Sequence, residues 1–441
     1  MAPDPERQVG DLVQLVRGTT YKGALLGKPG PALLGLGSII PGGGFRVGEF
    51  KTYGGECPEK LTLHPGDLYV SLKGATKDGD MIGSIARVPP QVPSGRLTQD
   101  TVKLVLNAEA EKLRAYLYWL LRTPQYRAYC AGRATGSAVV ALSRDDFLSY
   151  PVPPLTAERE MIVEVLEHIE EKVDLTRRMN ATLEATTQAI FRDWFIDFGP
   201  TRRKTEGATD PGTILGGLAT NVQRAVGLAD LFPATFDENG LPTGWVPGTL
   251  KELATQASDT VTPTEIDPST PYIGLEHMPR HSVALSEWEA AQKVTSNKSR
   301  FTRGQILFGK LRPYFHKVGA APVDGICSTD IVVLDAIQPI DRVLVLACVS
   351  TDEFVAFTDQ TSTGTKMPRT NWKTMQTYSL AIAKEGVRRA FADIANPLLA
   401  KIEAGIHESK TLLATRDLLL SRLMSGEVRL REAEDRLQEV A

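Results

Sequence analysis

The sequence predicts an α+β protein in which two similar, strand-rich α/β domains are separated by two long antiparallel helices. Two observations lead to this prediction. The 441-residue chain repeats itself once, and each copy closes with a long segment whose apolar residues recur every three or four positions. Because each apolar stripe needs a partner, we expect the two helices to pair as a coiled coil and to give the molecule pseudo-twofold symmetry.

The internal repeat rests on five short segments that recur in the same order. The matched pairs are residues 9–15 with 247–253, 34–36 with 273–275, 64–68 with 302–306, 134–137 with 362–365, and the segments that begin at 159 and 388. The separation between partners is nearly constant, apart from one short deletion. A period of this length indicates a duplicated domain rather than a solenoid.

Each copy changes from strand-like to helical patterning. Short β-rich runs such as 67–72 and 305–309 lie between Gly and Pro residues, which is typical of strands. The helical stripes follow, at Ile162, Val165, Ile169, Val173, Met179, Leu183, Ile190 and Trp194, and at Phe391, Ile394, Leu398, Ile402, Leu412, Leu419 and Leu423. A helix of about 40 residues is roughly 60 Å long at about 1.5 Å per residue. Pro397 lies inside the second stripe, so we expect a kink or a restart there.

These patterns divide the chain into six segments. In order they are a first strand-rich domain (1–153), a long helix (154–198), a connector (199–243), a second strand-rich domain (244–382), a second long helix (383–426) and a C-terminal tail (427–441). We expect the connector to be a long crossover loop with one short helix near 221–228.

Composition and cysteine usage indicate an ordinary globular protein. Hydrophobic residues make up 42% of the chain and charged residues 23%. No apolar run reaches about 18 residues, the length that spans a bilayer, so no membrane association is expected. The four cysteines are isolated and the first residues contain no apolar leader, which predicts a cytoplasmic protein with reduced thiols.

The distribution of charge is more informative than the net charge of −3. Residues 290–320 contain seven Lys or Arg and no acid, and residues 112–144 contain six and no acid. Segregated charge creates local positive surface, which favours a nucleic-acid partner, although solvated basic faces are the alternative.

No catalytic or metal motif emerges. The segment 23–29 falls one residue short of a phosphate-binding loop, and no Asn/Asp-Pro-Pro-Phe/Tyr motif of a DNA amino-methyltransferase occurs. The six histidines show no metal-ligand spacing. Asp67 and Asp80 near Lys73 and Lys77 faintly suggest a nuclease set, but Gln305 replaces Asp67 in the second copy. We therefore expect no enzyme activity, no bound metal and no cofactor.

Four stretches resemble the specificity subunits of type I restriction–modification systems. Residues 183–198 resemble the central conserved helix of that family, 232–253 the entry to its second recognition domain, 415–427 its distal conserved region, and 151–160 its junction from recognition domain to helix. The resemblance covers the whole chain in the family's order. One departure is that the first copy lacks the Gly-Trp entry found at 244–245.

The resemblance implies a function and a set of partners. Each strand-rich domain would be a target-recognition domain for one half of a two-part site in double-stranded DNA, and the paired helices would set the spacer. The helices would also dock two methyltransferase (modification) subunits, which motor–nuclease (restriction) subunits join. S-adenosylmethionine and ATP would bind to those partners rather than to this chain.

Basic, hydroxyl and aromatic side chains in two regions of each copy are the candidates for DNA contact, because such groups bind base edges and phosphates. They are Lys73, Lys77, Arg133, Ser137 and Arg144 in the first copy, and Lys310, Arg312, Tyr314, Lys317, Lys366, Arg369, Trp372 and Lys373 in the second. Phe191, Trp194 and Phe195 are candidates for contact with a partner protein, since large aromatics at a rod end are rarely left exposed.

Two other functions are compatible with parts of the sequence. A coiled-coil adaptor that binds proteins without DNA specificity would share the helices and differ in showing no salt-sensitive DNA binding. A single-chain restriction–methylation enzyme would need methyltransferase and cofactor motifs, and the absence of these motifs disfavours it.

Overall fold

In the computed structural model, the chain is described at residues 7–48, 50–74, 79–136, 140–218, 221–364 and 366–425. It forms two compact units, one of residues 1–171 with 412–441 and the other of residues 172–411. Among the described residues, every helix is too short or too polar to cross a membrane. Lys77, Ser137 and the predicted tail 427–441 lie outside the described residues.

The first unit contains head one, which we define as residues 7–153. Its strands are β1 Arg7–Gln8, β2 Val13–Arg17, β3 Ala32–Leu34, β4 Thr62–Leu63, β5 Leu68–Ser71, β6 Ile85–Arg87, β7 Gly95–Leu97, β8 Thr101–Leu106 and β9 Pro151–Val152. Its helices are α1 Val9–Leu12, α2 Arg114–Leu120, α3 Pro124–Arg133 and α4 Arg144–Leu148. Thr123 caps α3 by accepting a bond from the backbone N of Tyr126, and Pro124 fits the first helical position.

Head one is built on two sheets and a strand pair. The sheets have the orders β2-β8-β5-β6 and β3-β7-β4, and β1 pairs with β9. All pairs are antiparallel except β3 with β7. The run predicted at 67–72 forms β5, whose four residues are all buried, as expected for a central strand covered on both faces.

After head one, the long helix α5 runs over Ala157–Phe191 and continues as a π-helical turn at Arg192–Ile196. The connector then forms three helices, α6 Gly199–Thr205, α7 Pro211–Ile214 and α8 Val222–Asp230. The expected short helix corresponds to α8, but the long loop expected around it is wrong. Apolar residues of the connector join one buried core with α5, among them Ile214, Leu215, Ala225, Ala229 and Phe232. Burial of these side chains stabilises helical structure in a segment whose composition suggested mainly loop.

The second unit contains head two, defined as residues 244–382. Its strands are β10 Val246–Thr249, β11 Ala254–Ala257, β12 Thr260–Val261, β13 Pro271–Ile273, β14 Glu289–Ala290, β15 Lys298–Phe301, β16 Ile306–Gly309, β17 Val318–Ala320, β18 Gly325–Cys327, β19 Ile331–Ala336 and β20 Ser379–Ile382. Its helices are α9 Arg342–Val349, α10 Asp352–Gln360 and α11 Trp372–Met375.

The strand order of head one recurs in head two. The sheet β11-β19-β16-β17 corresponds to β2-β8-β5-β6, and β10 pairs with β20 as β1 pairs with β9. The second sheet, β12-β15-β18-β13-β14, contains the parallel pair β13–β18 at the place of β3–β7. The sequence repeat is thus a repeat of topology.

The last helix, α12, covers Glu385–Ser425 and continues through Pro397, so the restart expected there is wrong. Within the second unit it runs antiparallel to α5. Lys172 Nζ lies 3.1 Å from Glu408 Oε1, Asn180 Nδ2 donates to the carbonyl of Ile402 at 3.5 Å, and the rings of Phe191 and Phe391 are 6.2 Å apart. These contacts fix the register of the two helices in that unit.

Candidate nucleic-acid interface

In head two, the two basic regions predicted from the sequence lie side by side. Leu311 and Arg369 form an isolated β-bridge. On either side of it, the backbone N of Arg312 donates to the carbonyl of Pro368 at 2.7 Å, and that of Thr370 donates to the carbonyl of Lys310 at 3.1 Å. We call residues 310–316 and 366–373 the loop pair of head two.

Head one repeats this arrangement bond for bond. Lys73 and Ala141 form the bridge, Gly74 N donates to the carbonyl of Val140 at 2.7 Å, and Leu142 N donates to the carbonyl of Leu72 at 2.9 Å. Residues 72–74 and 140–144 are the loop pair of head one. The sequence did not contain a local signal for these hydrogen bonds, but it did single out both segments in both copies.

Each loop pair holds a cation beside a carboxylate at the start of an equivalent strand. Lys73 Nζ is 3.6 Å from Asp100 Oδ1, before β8, and Arg369 Nη2 is 3.3 Å from Asp330 Oδ1, before β19. The Lys73 and Arg369 side chains are 42% and 52% exposed. Because exposed ion pairs contribute only about 0–1 kcal/mol, either cation can turn to a phosphate or a base at little cost.

The candidate residues differ in their accessibility. Six are exposed: Arg133, Arg144, Tyr314, Lys366, Arg369 and Lys373. Five are half-buried: Lys73, Lys310, Arg312, Lys317 and Trp372. The exposed group supplies one aromatic ring and five cations that can reach a ligand without rearrangement of the fold.

Phe315 organises the cations beside the loop pair of head two. Its ring lies 4.0 Å from the guanidinium carbon of Arg280 and 6.0 Å from that of Arg312. Arg312 has a left-handed backbone (φ 52°), and its buried Nε has no hydrogen-bond partner among the described residues. Arg280 was not predicted from the sequence because nothing local connects residue 280 to residue 312.

Two candidates are held inside head two rather than presented on it. Lys317 Nζ donates to the carbonyl of Leu275 at 2.5 Å, and burial together with the neighbouring Arg280 lowers the pKa of Lys317. Trp372 packs against the main core of the second unit at the first position of α11, where Asn371 caps the helix. Both residues position the loop pair.

Phe191, Trp194 and Phe195 are buried, with exposed fractions of 2%, 1% and 7%. Trp194 meets Phe232 of the connector edge-on at 4.9 Å between ring centroids, and Phe195 lies 5.3 Å from Phe391 of α12. The prediction that these three residues contact a partner protein is not supported by their burial, because the folded connector and α12 already cover the rings.

Comparisons with known proteins give relatives of one kind. No protein-family model matches the chain. It is 26% identical over 274 residues to the specificity subunit of the type I restriction enzyme EcoDI from Escherichia coli, a match that covers 58% of this chain and 56% of that protein. It is 21% identical over 334 residues to the MjaIX specificity subunit from Methanocaldococcus jannaschii, covering 72% of this chain and 69% of that protein.

A solved structure has a similar fold. The crystal structure of a type I restriction–modification S subunit from M. genitalium matches with a TM-score of 0.50 and 14% identity over 96% of both chains. The strand-rich sheets and long helix are thus those of an S-subunit fold. These comparisons confirm the resemblance to type I specificity subunits that the sequence motifs indicate. The match spans little more than half of the EcoDI protein.

Proposed function

We propose that this chain is the DNA-specificity subunit of a type I restriction–modification complex, and that each head recognises one half of a two-part DNA site. The observation that carries the proposal is the repetition of one loop pair, with the same backbone hydrogen bonds, in two heads of the same topology. One protein that presents two versions of a single surface is suited to two different half-sites.

Recognition would divide between base contacts and phosphate contacts. Arg369 and Arg133 carry exposed guanidinium groups, which form bidentate hydrogen bonds with guanine edges or phosphates. Lys366 and Lys373 carry point charges, which suit phosphates. The differing residues of the two loop pairs would make the two half-sites different.

The long helices would set the distance between half-sites and dock the modification subunits. Two heads on a stiff spacer contact DNA at a fixed helical phase, as dimeric DNA-binding proteins do. This chain would do no chemistry itself. Two methyltransferase subunits would extrude the adenine and use S-adenosylmethionine, and motor–nuclease subunits would use ATP.

The test is to map methylated adenines in cells that express the modification subunits with and without this chain. The expected result is methylation at a two-part sequence with a gap of constant length, present only when the chain is expressed. A single uninterrupted motif, or the same methylation without the chain, would refute the proposal.

DNA binding by the purified complex also separates this function from that of a protein-binding adaptor. Affinity for DNA should fall steeply between about 50 and 200 mM salt, because phosphate contacts release counterions. Binding that does not respond to salt, or no binding, would favour the adaptor.

A further inference from the structure

Three side chains that are distant in sequence meet at one edge of head two. They are His281, in the segment between β13 and β14, His316, just before β17, and Asp352, the first residue of α10. The nitrogen and oxygen atoms that they can offer as ligands all lie within 4.8 Å of one another. His316 is buried, and the other two are exposed.

The hydrogen bonds of His316 leave one of its nitrogens facing a carboxylate. Nε2 lies 3.0 Å from the carbonyl oxygen of Ser350, which only accepts, so Nε2 carries the donated proton. Nδ1 lies 3.2 Å from Asp352 Oδ1. In a neutral ring, two acceptor atoms then face each other, an arrangement that a cation between them stabilises.

The hydrogen bond from Nε2 to the carbonyl of Ser350 is one that metal-binding histidines usually make with the ring nitrogen that does not bind the metal. Such residues donate the other ring N–H to a carbonyl or carboxylate, which fixes the tautomer and the ring orientation. Two ligands of a tetrahedral ion at about 2.0–2.1 Å lie roughly 3.3 Å apart, close to the separation of Nδ1 and Oδ1.

The backbone holds the two histidines together before any ligand arrives. His281 N donates to the carbonyl of His316 at 2.9 Å, and His316 N donates to that of Pro313 at 2.8 Å. Both histidines have left-handed φ angles, 53° and 48°, which non-glycine residues rarely adopt. Their ring centroids are 4.4 Å apart, so a small rotation of the exposed His281 ring brings its nitrogen toward the other two ligands.

We propose that His281, His316 and Asp352 bind a divalent transition-metal ion, with Zn²⁺ the best match. Imidazole nitrogens with one carboxylate favour Zn²⁺, Co²⁺ or Ni²⁺ over Ca²⁺ and Mg²⁺, which prefer oxygen ligands. Three protein ligands leave a fourth position for water. The sequence expectation of no metal site considered only spacing along the chain, which these three residues do not share.

The site belongs to head two alone and does not depend on the DNA-binding proposal. By the matched strand pairings, Gly83 stands at the place of His316 before β6, and Pro124 stands at the place of Asp352 as the first residue of α3. Neither residue has a side chain that can bind a metal. The ion would link the end of the segment 310–316 to α10.

The test uses the untagged full chain, treated with a chelator and then titrated with Co²⁺ alone. We expect about one equivalent to bind with the visible absorption of four- or five-coordinate Co²⁺, and Zn²⁺ to displace it. Asp352→Asn and His281→Ala change exposed ligands, so the fold is retained, and each should weaken binding at least about tenfold.

The matched control is His64→Ala in head one, where His64 Nε2 pairs with Glu59 at 3.0 Å, and which should leave the titration unchanged. Zn²⁺ should also raise the unfolding temperature of the wild type and of His64→Ala, but not of the two ligand variants. The proposal would be overturned if Co²⁺ did not bind stoichiometrically, or if both ligand variants still bound it. The contact between His316 and Asp352 would then be assigned to a proton that the two side chains share.

Discussion

Head one and head two share the strand order of their first sheet, but their equivalent helices, α2 and α9, lie in contacts with α5 of different chemistry. In head one, Arg87 pairs with Glu167 at 2.7 Å and with Glu170 at 2.5 Å, and Trp119 Nε1 of α2 donates to Glu167 at 2.6 Å. Buried Arg122 pairs with Glu170 as well, at 2.9 Å. Burial acts to raise the pKa of Glu170, but the guanidinium groups of Arg122 and Arg87 outweigh it and lower that pKa.

Where α9 meets α5, head two uses mainly apolar contact. Its helix α9 is apolar and buried throughout Val343–Val349, in one core with Ile190 and Phe191 of α5. The polar contacts of α5 here use neutral donors: Gln188 Nε2 donates to the carbonyl of Ala347 at 3.1 Å, and Ser282 Oγ donates to Glu184 at 2.9 Å. The ion pairs of head two with the helical segments lie elsewhere, between Arg192 and Glu353 and between Arg388 of α12 and Asp341. The strand pattern therefore specifies the head, while its attachment can be made of charges or of aliphatic side chains.

The largest expected effect comes from lengthening both helices at once. The two units divide between residues 171 and 172 of α5 and between residues 411 and 412 of α12. Glu184 and Gln188 of α5, which bond to head two, lie after the first of these points. Seven residues inserted at both points keep the apolar stripe in phase and add about 10 Å. The preferred spacer should then grow by about three base pairs at about 3.4 Å each, with both half-sites unchanged.

Mapping of methylated adenines measures that spacer. The control is the same seven residues inserted at Gly240, in an exposed turn of the connector, where no change is expected. An original spacer retained after the double insertion would contradict a ruler role for the helices. An insertion after Leu183 is a poorer test, because Glu184 and Gln188 there bond to head two.

A smaller effect should reveal the difference in attachment. Arg87→Met leaves Glu167 and Glu170 without one of their partners. We expect it to lower the free energy of unfolding by about 2 kcal/mol, less than the roughly 3–5 kcal/mol seen for broken buried pairs, because Arg122 still pairs with Glu170.

The corresponding change at the contact with head two, Gln188→Ala in α5, should cost about 1 kcal/mol, since it removes neutral hydrogen bonds to Ala347 and Ser350. Arg133→Met serves as control, because its 3.7 Å pair with Asp146 is exposed and should contribute less than about 0.5 kcal/mol. Urea unfolding measures all three variants. Equal losses for Arg87→Met and Arg133→Met would show that the charged attachment does not stabilise head one.

The loop pairs should separate the two half-sites. Arg369→Ala should weaken binding to the half-site of head two about tenfold, and Lys73→Ala should weaken binding to the other half-site by a smaller factor, as expected for a lysine–phosphate contact. Competition with duplexes altered in one half at a time measures both. If each variant lost affinity equally for both halves, separate recognition by the heads would be refuted.

The smallest effect concerns pH. Burial raises the pKa of Glu184 above its ordinary value, despite hydrogen bonds from Ser282 and Val283. A carboxyl group whose pKa is raised by folding costs stability above its unfolded pKa, and the cost disappears as pH falls through the folded value. Glu184→Gln should therefore raise the unfolding temperature by about 1–2 °C at neutral pH.

That gain should shrink in acid, which thermal unfolding at a series of pH values would detect. Glu171→Gln, at an exposed position of the same helix, is the matched control for the loss of one carboxylate. A gain for Glu184→Gln that grows as pH falls would contradict the assigned cause.

Most of the structural elements that occur in both heads were predicted from the sequence, and few of the features that occur once were. Strands β5 and β16, both long helices and the two segments of each loop pair were predicted because local periodicity and duplication mark them. The helices α6 and α7 were missed although Asp210-Pro211 is a good helix start. Ile214 of α7 is buried in one core with Trp194, and Arg203 of α6 pairs with Asp193, so their stability comes from contacts outside each helix. The cluster of His281, His316 and Asp352 and the pairing of Arg87 with Glu170 are likewise tertiary, so no local pattern identifies them.

In each head the first and last strands pair with each other: β1 with β9, and β10 with β20. The chain therefore enters and leaves each head at neighbouring points, as in a domain inserted at a single position of another structure. Recombination that falls in these short strands can exchange a whole head as a cassette and leave the helices as they were. Under the proposed function, such an exchange would change one half-site in a single genetic event.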